Sequence, residues 1–193
     1  MGSPLLLGEG FLQRLTDGFM NDQWLILLSG ASSSGKTTAA QALAKRLSTQ
    51  GRPFLSIEAD EYLPHMPDDW SHTTFGSSLS RAVHRSIAAF AEQGFDIIAD
   101  GVLPYGDPEG IADALDVFLR FRLCYVGVRC DPDLLETREK ARPDRNQGWA
   151  LKQQSDLHDG QRYDVEIDSS IASAMENADL IARYLTDRDS ELA

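Results

Sequence analysis

Residues Gly30-Ala31-Ser32-Ser33-Ser34-Gly35-Lys36-Thr37 follow the spacing G-x-x-x-x-G-K-[ST], directly behind the apolar run Trp24-Leu25-Ile26-Leu27-Leu28. Each residue type has a task. Glycines let the backbone curl until successive N–H groups face an anion, a lysine reaches the β and γ oxygens of a triphosphate, and the final hydroxyl can ligate Mg²⁺. Thr38 carries the stretch into a helix whose N-terminal end adds positive potential. The strand before and the apolar stripe Ala40, Leu43, Leu47 after it argue against a small-residue turn that matches by chance.

Phosphoryl transfer also needs an oriented acceptor, neutralised charge and often a carboxylate to take the hydroxyl proton. Asp60 and Asp100 each stand at the end of an apolar, strand-like run, at 52–58 and 95–99. Asp60 is the candidate base, and Asp100 can hold Mg²⁺, directly or through water, or orient the acceptor. A strand-ending Asp can equally be a turn former. Glu58 and Glu61 flank Asp60 as capping or solvated groups, or as the base if the strand boundary slips. Arg138, Arg142 and Arg145 are four and then three residues apart, so a continuous helix would present them to one side. They either pair with Glu136, Glu139 and Asp144, worth about 0–1 kcal/mol at a surface, or clamp phosphate oxygens. Pro143 makes a hinged lid plausible.

The elements that must position these groups alternate. Strands are expected at 24–28, 52–58, 95–99, 123–128 and 164–168, and helices after the phosphate loop and at 77–93, 108–119 and 170–185. An Arg-rich helical stretch runs over 131–154, broken near Pro143. Leu79, Val83, Ile87 and Phe90 form a helical stripe read as core, while 61–78, with Pro64, Pro67 and Gly76, is too broken for a long element. Residues 8–19 are compatible with a short amphipathic helix. Such alternation predicts an α/β fold with a central, mainly parallel five-stranded sheet covered on both faces. Ligands of open α/β sheets bind beyond the carboxyl ends of the strands, where Gly30, Asp60 and Asp100 converge.

The chain has 193 residues, 42% hydrophobic and 25% charged, enough for one sizeable core. We expect an extension at 1–23 and one domain over 24–193, with the lid at 131–154. The formal net charge of −12 disfavours a long nucleic acid as partner. No apolar run reaches the roughly 20 residues of a membrane span, and the first residues make a poor signal peptide, so a cytoplasmic protein is expected. Cys124 and Cys130 fall about 20 Å apart if they share one strand, too far to bridge, and neither sits in a metal-ligand cluster. The oligomeric state is left open.

From Tyr125 onward the chain resembles the chloramphenicol phosphotransferase family. The resemblance lies in Val126-Gly127-Val128-Arg129-Cys130-Asp131, Arg138-Glu139, Ala141-Arg142, Asp144-Arg145, Gly148, Gln154, His158, Gly160 and Tyr163-Asp164-Val165-Glu166-Ile167-Asp168. It extends upstream through the phosphate loop, Asp60 and Ile97-Ile98-Ala99-Asp100, covering residues 24–185. It implies a three-layer P-loop kinase-like fold with an Arg-rich lid. The implied reaction moves the γ phosphate of ATP or GTP, with Mg²⁺, to a hydroxyl of a small molecule, with an antibiotic such as chloramphenicol as the leading acceptor. Asp60 then matches the family's base, and Arg142 and Arg145 its lid arginines, with Arg138 beside the nucleotide. Pro143 replaces a family glycine, and 61–78 and 101–110 differ from the antibiotic kinase's drug-binding segments. His158 matches a family position but also suits a cap or a buried hydrogen-bonding group. Tyr62, Trp70 and Phe75 suit either the core or an acceptor pocket. Two rivals share the loop: a kinase of a nucleoside, sugar nucleotide or other metabolite, and a nucleotide-dependent switch that forms no phosphorylated product.

Overall fold

The computed structural model describes residues 22–59, 72–101, 108–142 and 148–192. Within them the chain runs β1 (Trp24–Ser29), α1 (Lys36–Thr49), β2 (Leu55–Glu58), α2 (His72–Glu92), β3 (Ile97–Asp100), α3 (Pro108–Phe118), β4 (Arg122–Arg129), α4 (Pro132–Lys140), α5 (Trp149–Leu157), β5 (Val165–Asp168) and α6 (Ala174–Leu192). The five strands form one sheet in the order β2-β3-β1-β4-β5, and every pairing is parallel.

Every residue of β1 is buried, because this central strand has no solvent face. Its side chains alternate between two cores. Trp24, Ile26 and Leu28 join Leu43 and Leu47 of α1 and Ile181 and Leu185 of α6 on one face. Leu25 and Leu27 join Val83 and Ile87 of α2, Phe118 of α3 and Tyr125 on the other. The stripe expected along α2 holds at Val83 and Ile87, but Phe90 is 42% exposed, and α2 begins at His72, inside the stretch read as irregular. The helix extends upstream because Pro67, the last proline before it, lies outside its span.

An ionic belt closes the amino-terminal edge of the sheet, opposite the phosphate loop. Asp189 of α6 accepts from Trp24 Nε1 (3.0 Å) and Arg52 (2.8 Å) and pairs with Arg122 (2.5 Å), whose guanidinium lies 4.3 Å from the Trp24 ring centroid. Burial alone would raise the Asp189 carboxyl. Its hydrogen bond from Trp24 and the two arginines outweigh that and hold it below its usual value.

His84 of α2 is 5% exposed and meets Phe118 edge-on, with ring centroids 5.3 Å apart. Burial pushes its pKa from 6.5 down to about 4. The unfolded ring therefore takes a proton near 6.5, whereas the folded ring resists until about 4. The stability held above the higher value is lost as pH falls through this window, by about 3 kcal/mol. Replacing His84 with Leu should flatten urea-derived stability between pH 6.5 and 4; an unchanged slope would show that His84 does not set it.

Candidate active site

The loop between β1 and α1 is shaped by contacts that leave no room for larger residues. A Cβ on Gly30 would stand 2.6 Å from the Val128 carbonyl oxygen and 2.7 Å from Ser34 Oγ. Gly30→Ala should therefore displace β4 or the loop and lower the melting temperature by several degrees, since overpacking costs typically 1–3 kcal/mol. A melt within one degree of the parent, together with unchanged nucleotide binding, would contradict this packing. Gly35, the residue before α1, has φ +94°, and Ser33 also takes a left-handed conformation at φ 62°. Left-handed residues close together form the concave nest of N–H groups that suits an anion. The first turn of α1 holds no acidic residue, and no side chain caps it, so its positive end stays available.

Lys36 Nζ donates to the Ala31 carbonyl at 3.0 Å, folding back along the loop. Thr37 Oγ1 donates to Asp100 Oδ2. This joins the end of β3 to the loop, because β3 pairs with β1 and brings Asp100 beside Leu28. Glu58 lies opposite Asp100 in the β2–β3 register. A cleft of about 750 Å³ opens over this edge, lined by Ser32, Ser33 and Gly35 to Ala39 from the loop and α1, with Glu58, Asp100 and Gly101. Its other wall carries Arg138 and Arg142, Ser169 and Ser173 from the β5–α6 connection, and Asn177 from α6.

The arginines reach this cleft by a route other than the expected one. α4 ends at Lys140, so no continuous helix carries Arg142, yet both Arg138 and Arg142 line the opening. Arg138 donates to Ser169 Oγ at 2.9 Å and to the Ser169 carbonyl at 3.2 Å. The expected acidic partners have other tasks. Glu136 pairs with Lys140 at 3.0 Å. Glu139, 2% exposed, accepts from the Gly148 and Ala150 N–H groups at 2.6 and 2.8 Å and thereby caps α5. Asp60, Arg145, Asp144, Pro143, Glu61, Tyr62 and Trp70, like the Phe75 side chain, lie outside the described residues. The chain leaves β2 through Ala59, whose Cβ packs 2.8 Å from where a Cβ on Gly101 would stand. The described chain thus leaves β2 at the edge that bears Asp100.

His158 has a structural partner. Its Nδ1 lies 2.8 Å from the Tyr163 hydroxyl, and it does not line the cleft. Burial, with Arg129 nearby, lowers its pKa and favours the neutral ring. Both cysteines are buried and free, and Arg138 lies 3.5 Å from Cys130 Sγ. Gln153, absent from the sequence reading, accepts the Ser32 N–H at 2.8 Å. Only its place beside Gln154 in the Arg-rich stretch could have pointed to it.

Among the described residues no group of three or more His, Cys, Asp or Glu side chains forms a metal cage. Thr37 and Asp100 bring two hard oxygens together, the kind of donor that would hold Mg²⁺ where substrate phosphates provide its further ligands.

A five-stranded parallel sheet with this loop at the carboxyl end of its central strand defines a P-loop kinase fold, here of the small-molecule phosphotransferase class. The chain belongs to the chloramphenicol phosphotransferase-like protein family, whose model matches residues 23–186. It is 29% identical over 181 residues to the Mycobacterium tuberculosis H37Rv protein named "Putative O-phosphotransferase Rv2636", covering 80% of this chain and 78% of that one. Among solved structures it resembles the APS kinase CysC of Mycobacterium tuberculosis in complex with AMPPNP and APS, at TM-score 0.68 and 16% identity over 86% of this chain and 99% of that chain. A gluconokinase from Sinorhizobium meliloti 1021 gives 0.60 and 17% over 90% and 96%. Shikimate kinase from Aquifex aeolicus gives 0.58 and 16% over 86% and 98%. No helix among the described residues is long and apolar enough to cross a membrane.

Proposed function

We propose that this protein transfers the γ phosphate of ATP to a hydroxyl of a small molecule, with an antibiotic such as chloramphenicol as the leading acceptor class. The observation that carries this reading is one cleft holding Lys36 and Thr37 on one wall and Arg138 and Arg142 on the other. Opposed cations on loop and lid suit a transferring phosphoryl group, whose charge spreads over three oxygens. In this reading Gly30 to Thr38 cradle the triphosphate, with Arg138 beside it, and Lys36, Arg142 and Arg145 stabilise the charge in transfer. Asp60 accepts the acceptor's proton. Thr37 and Asp100 hold Mg²⁺, Asp100 directly or through water. The metal, when bound, neutralises phosphate charge. Residues 131–154 act as the lid on a domain spanning 24–193, with 1–23 as an extension, and the reaction is placed in the cytoplasm.

Mass spectrometry of an ATP/Mg²⁺ reaction with a panel of hydroxyl-bearing antibiotics, chloramphenicol included, tests the proposal. A product heavier by one phosphoryl group supports it. Product only with nucleosides, sugar nucleotides or other metabolites would move the acceptor to that class. ATP binding with no product from any acceptor would favour a nucleotide-dependent switch.

A further inference from the structure

The phosphate loop is built from small residues and contains a strained one. Ser33 sits at φ 62° without glycine's freedom, a conformation that persists only where neighbouring contacts impose it. Within the loop, the Ser34 N–H donates to the Ala31 carbonyl at 3.2 Å, and Lys36 donates to the same oxygen. The residue directly before the strained one is held from outside. Gln153 of α5, 6% exposed, accepts the Ser32 N–H with its Oε1 at 2.8 Å.

Gln153 is itself placed from two directions. Glu139 takes the Gly148 and Ala150 N–H groups at the start of α5, which sets the helix one turn before Gln153. Ala150, on the same helical face, packs with Ala31, Cys130 and Leu135 in a small apolar cluster behind the loop. Arg138, the residue before Glu139, lines the cleft. One continuous set of contacts thus runs from the cleft wall through α4 and α5 to the back of the loop.

We propose that Gln153 is a positioning residue that holds the phosphate loop in its nucleotide-accepting shape from the lid side. It need not touch the nucleotide: its carbonyl satisfies the Ser32 N–H and prevents Ser33 from relaxing. The inference rests on the phosphate-binding role of the loop. A partly buried N–H that loses its acceptor leaves the loop without this restraint, so Gln153→Leu should weaken ADP–Mg²⁺ binding about tenfold. Gln153→Glu retains an acceptor of the same reach and should bind more tightly than the Leu variant. Gln154→Leu removes a bond to the Cys130 carbonyl (2.6 Å) rather than to the loop, and should bind ADP as the parent does.

Calorimetric titration of ADP–Mg²⁺ into each folded variant decides between this and general weakening of α5. Equal losses in the Gln153→Leu and Gln154→Leu variants, or none in the former, would overturn the proposal. Amide exchange of Ser32 in the nucleotide-free parent gives an answer that needs no variant: slow exchange is expected, and exchange at the rate of an open loop would refute the Gln153 restraint. Parent protein that binds no ADP despite a slowly exchanging Ser32 would instead count against the nucleotide-binding reading.

Discussion

Lys36→Ala should abolish most phosphoryl transfer while leaving the fold intact. The Lys36 ammonium is the cleft cation nearest in sequence to the loop's N–H groups, and it lies in the same opening as Arg138 and Arg142. A preorganised donor aimed at developing charge is worth roughly 10²–10³ in turnover when removed. The half-buried side chain belongs to none of the three apolar clusters, and a hydrogen bond such as the one to the Ala31 carbonyl is worth about 1 kcal/mol. The expected outcome is a loss of phosphorylated product by mass spectrometry with a near-parental melting curve. A folded variant with full turnover would remove the loop from the reaction.

Asp60→Asn should separate binding from chemistry. The amide keeps the size of the carboxylate but cannot take a proton, and general-base catalysis contributes typically 10²–10⁴-fold. Nucleotide affinity should therefore stay near the parent value while transfer falls by about that factor. Retained transfer would eliminate Asp60 and turn attention to Glu58, which the β2–β3 register places opposite Asp100 on the cleft wall. Asp100 is a poorer choice of base, because it already receives the Thr37 hydroxyl.

Local signals carried the architecture a long way. The apolar runs at 24–28 and 123–128 lie in strands that are buried along most of their length, and a parallel strand with both faces covered has no reason to alternate. The phosphate loop was legible because its function demands particular residues at particular spacing. What escaped depends on partners distant in sequence. Glu139 reads as a surface charge among arginines, and only the return of the chain at Gly148 and Ala150 makes it a buried cap. Gln153 is an ordinary polar helix residue until the fold sets it behind Ser32. Phe90 fits the helical stripe by period, yet α2 turns Ala88 and Ala91 into the core on either side of it and leaves Phe90 facing out. Arg138 and Arg142 were associated by helical spacing, whereas the helix stops between them and both still reach the cleft.

The close approach of Val128 to Gly30, and of Ser169 to Gly35, has a temporal side. During synthesis the loop leaves the ribosome early, but the strands that give it shape emerge late: β3 and β4 flank β1, and the β5–α6 connection closes over Gly35. A nascent chain that has only reached α3 carries the complete loop sequence and β3 but lacks β4 and the β5–α6 connection, which approach Gly30 and Gly35. Nucleotide cannot serve as an early template for this domain, because its cradle is among the last parts to be completed. Chains stalled before β4 should leave an apolar β1 without one of its two neighbours, a species for chaperones rather than for substrate.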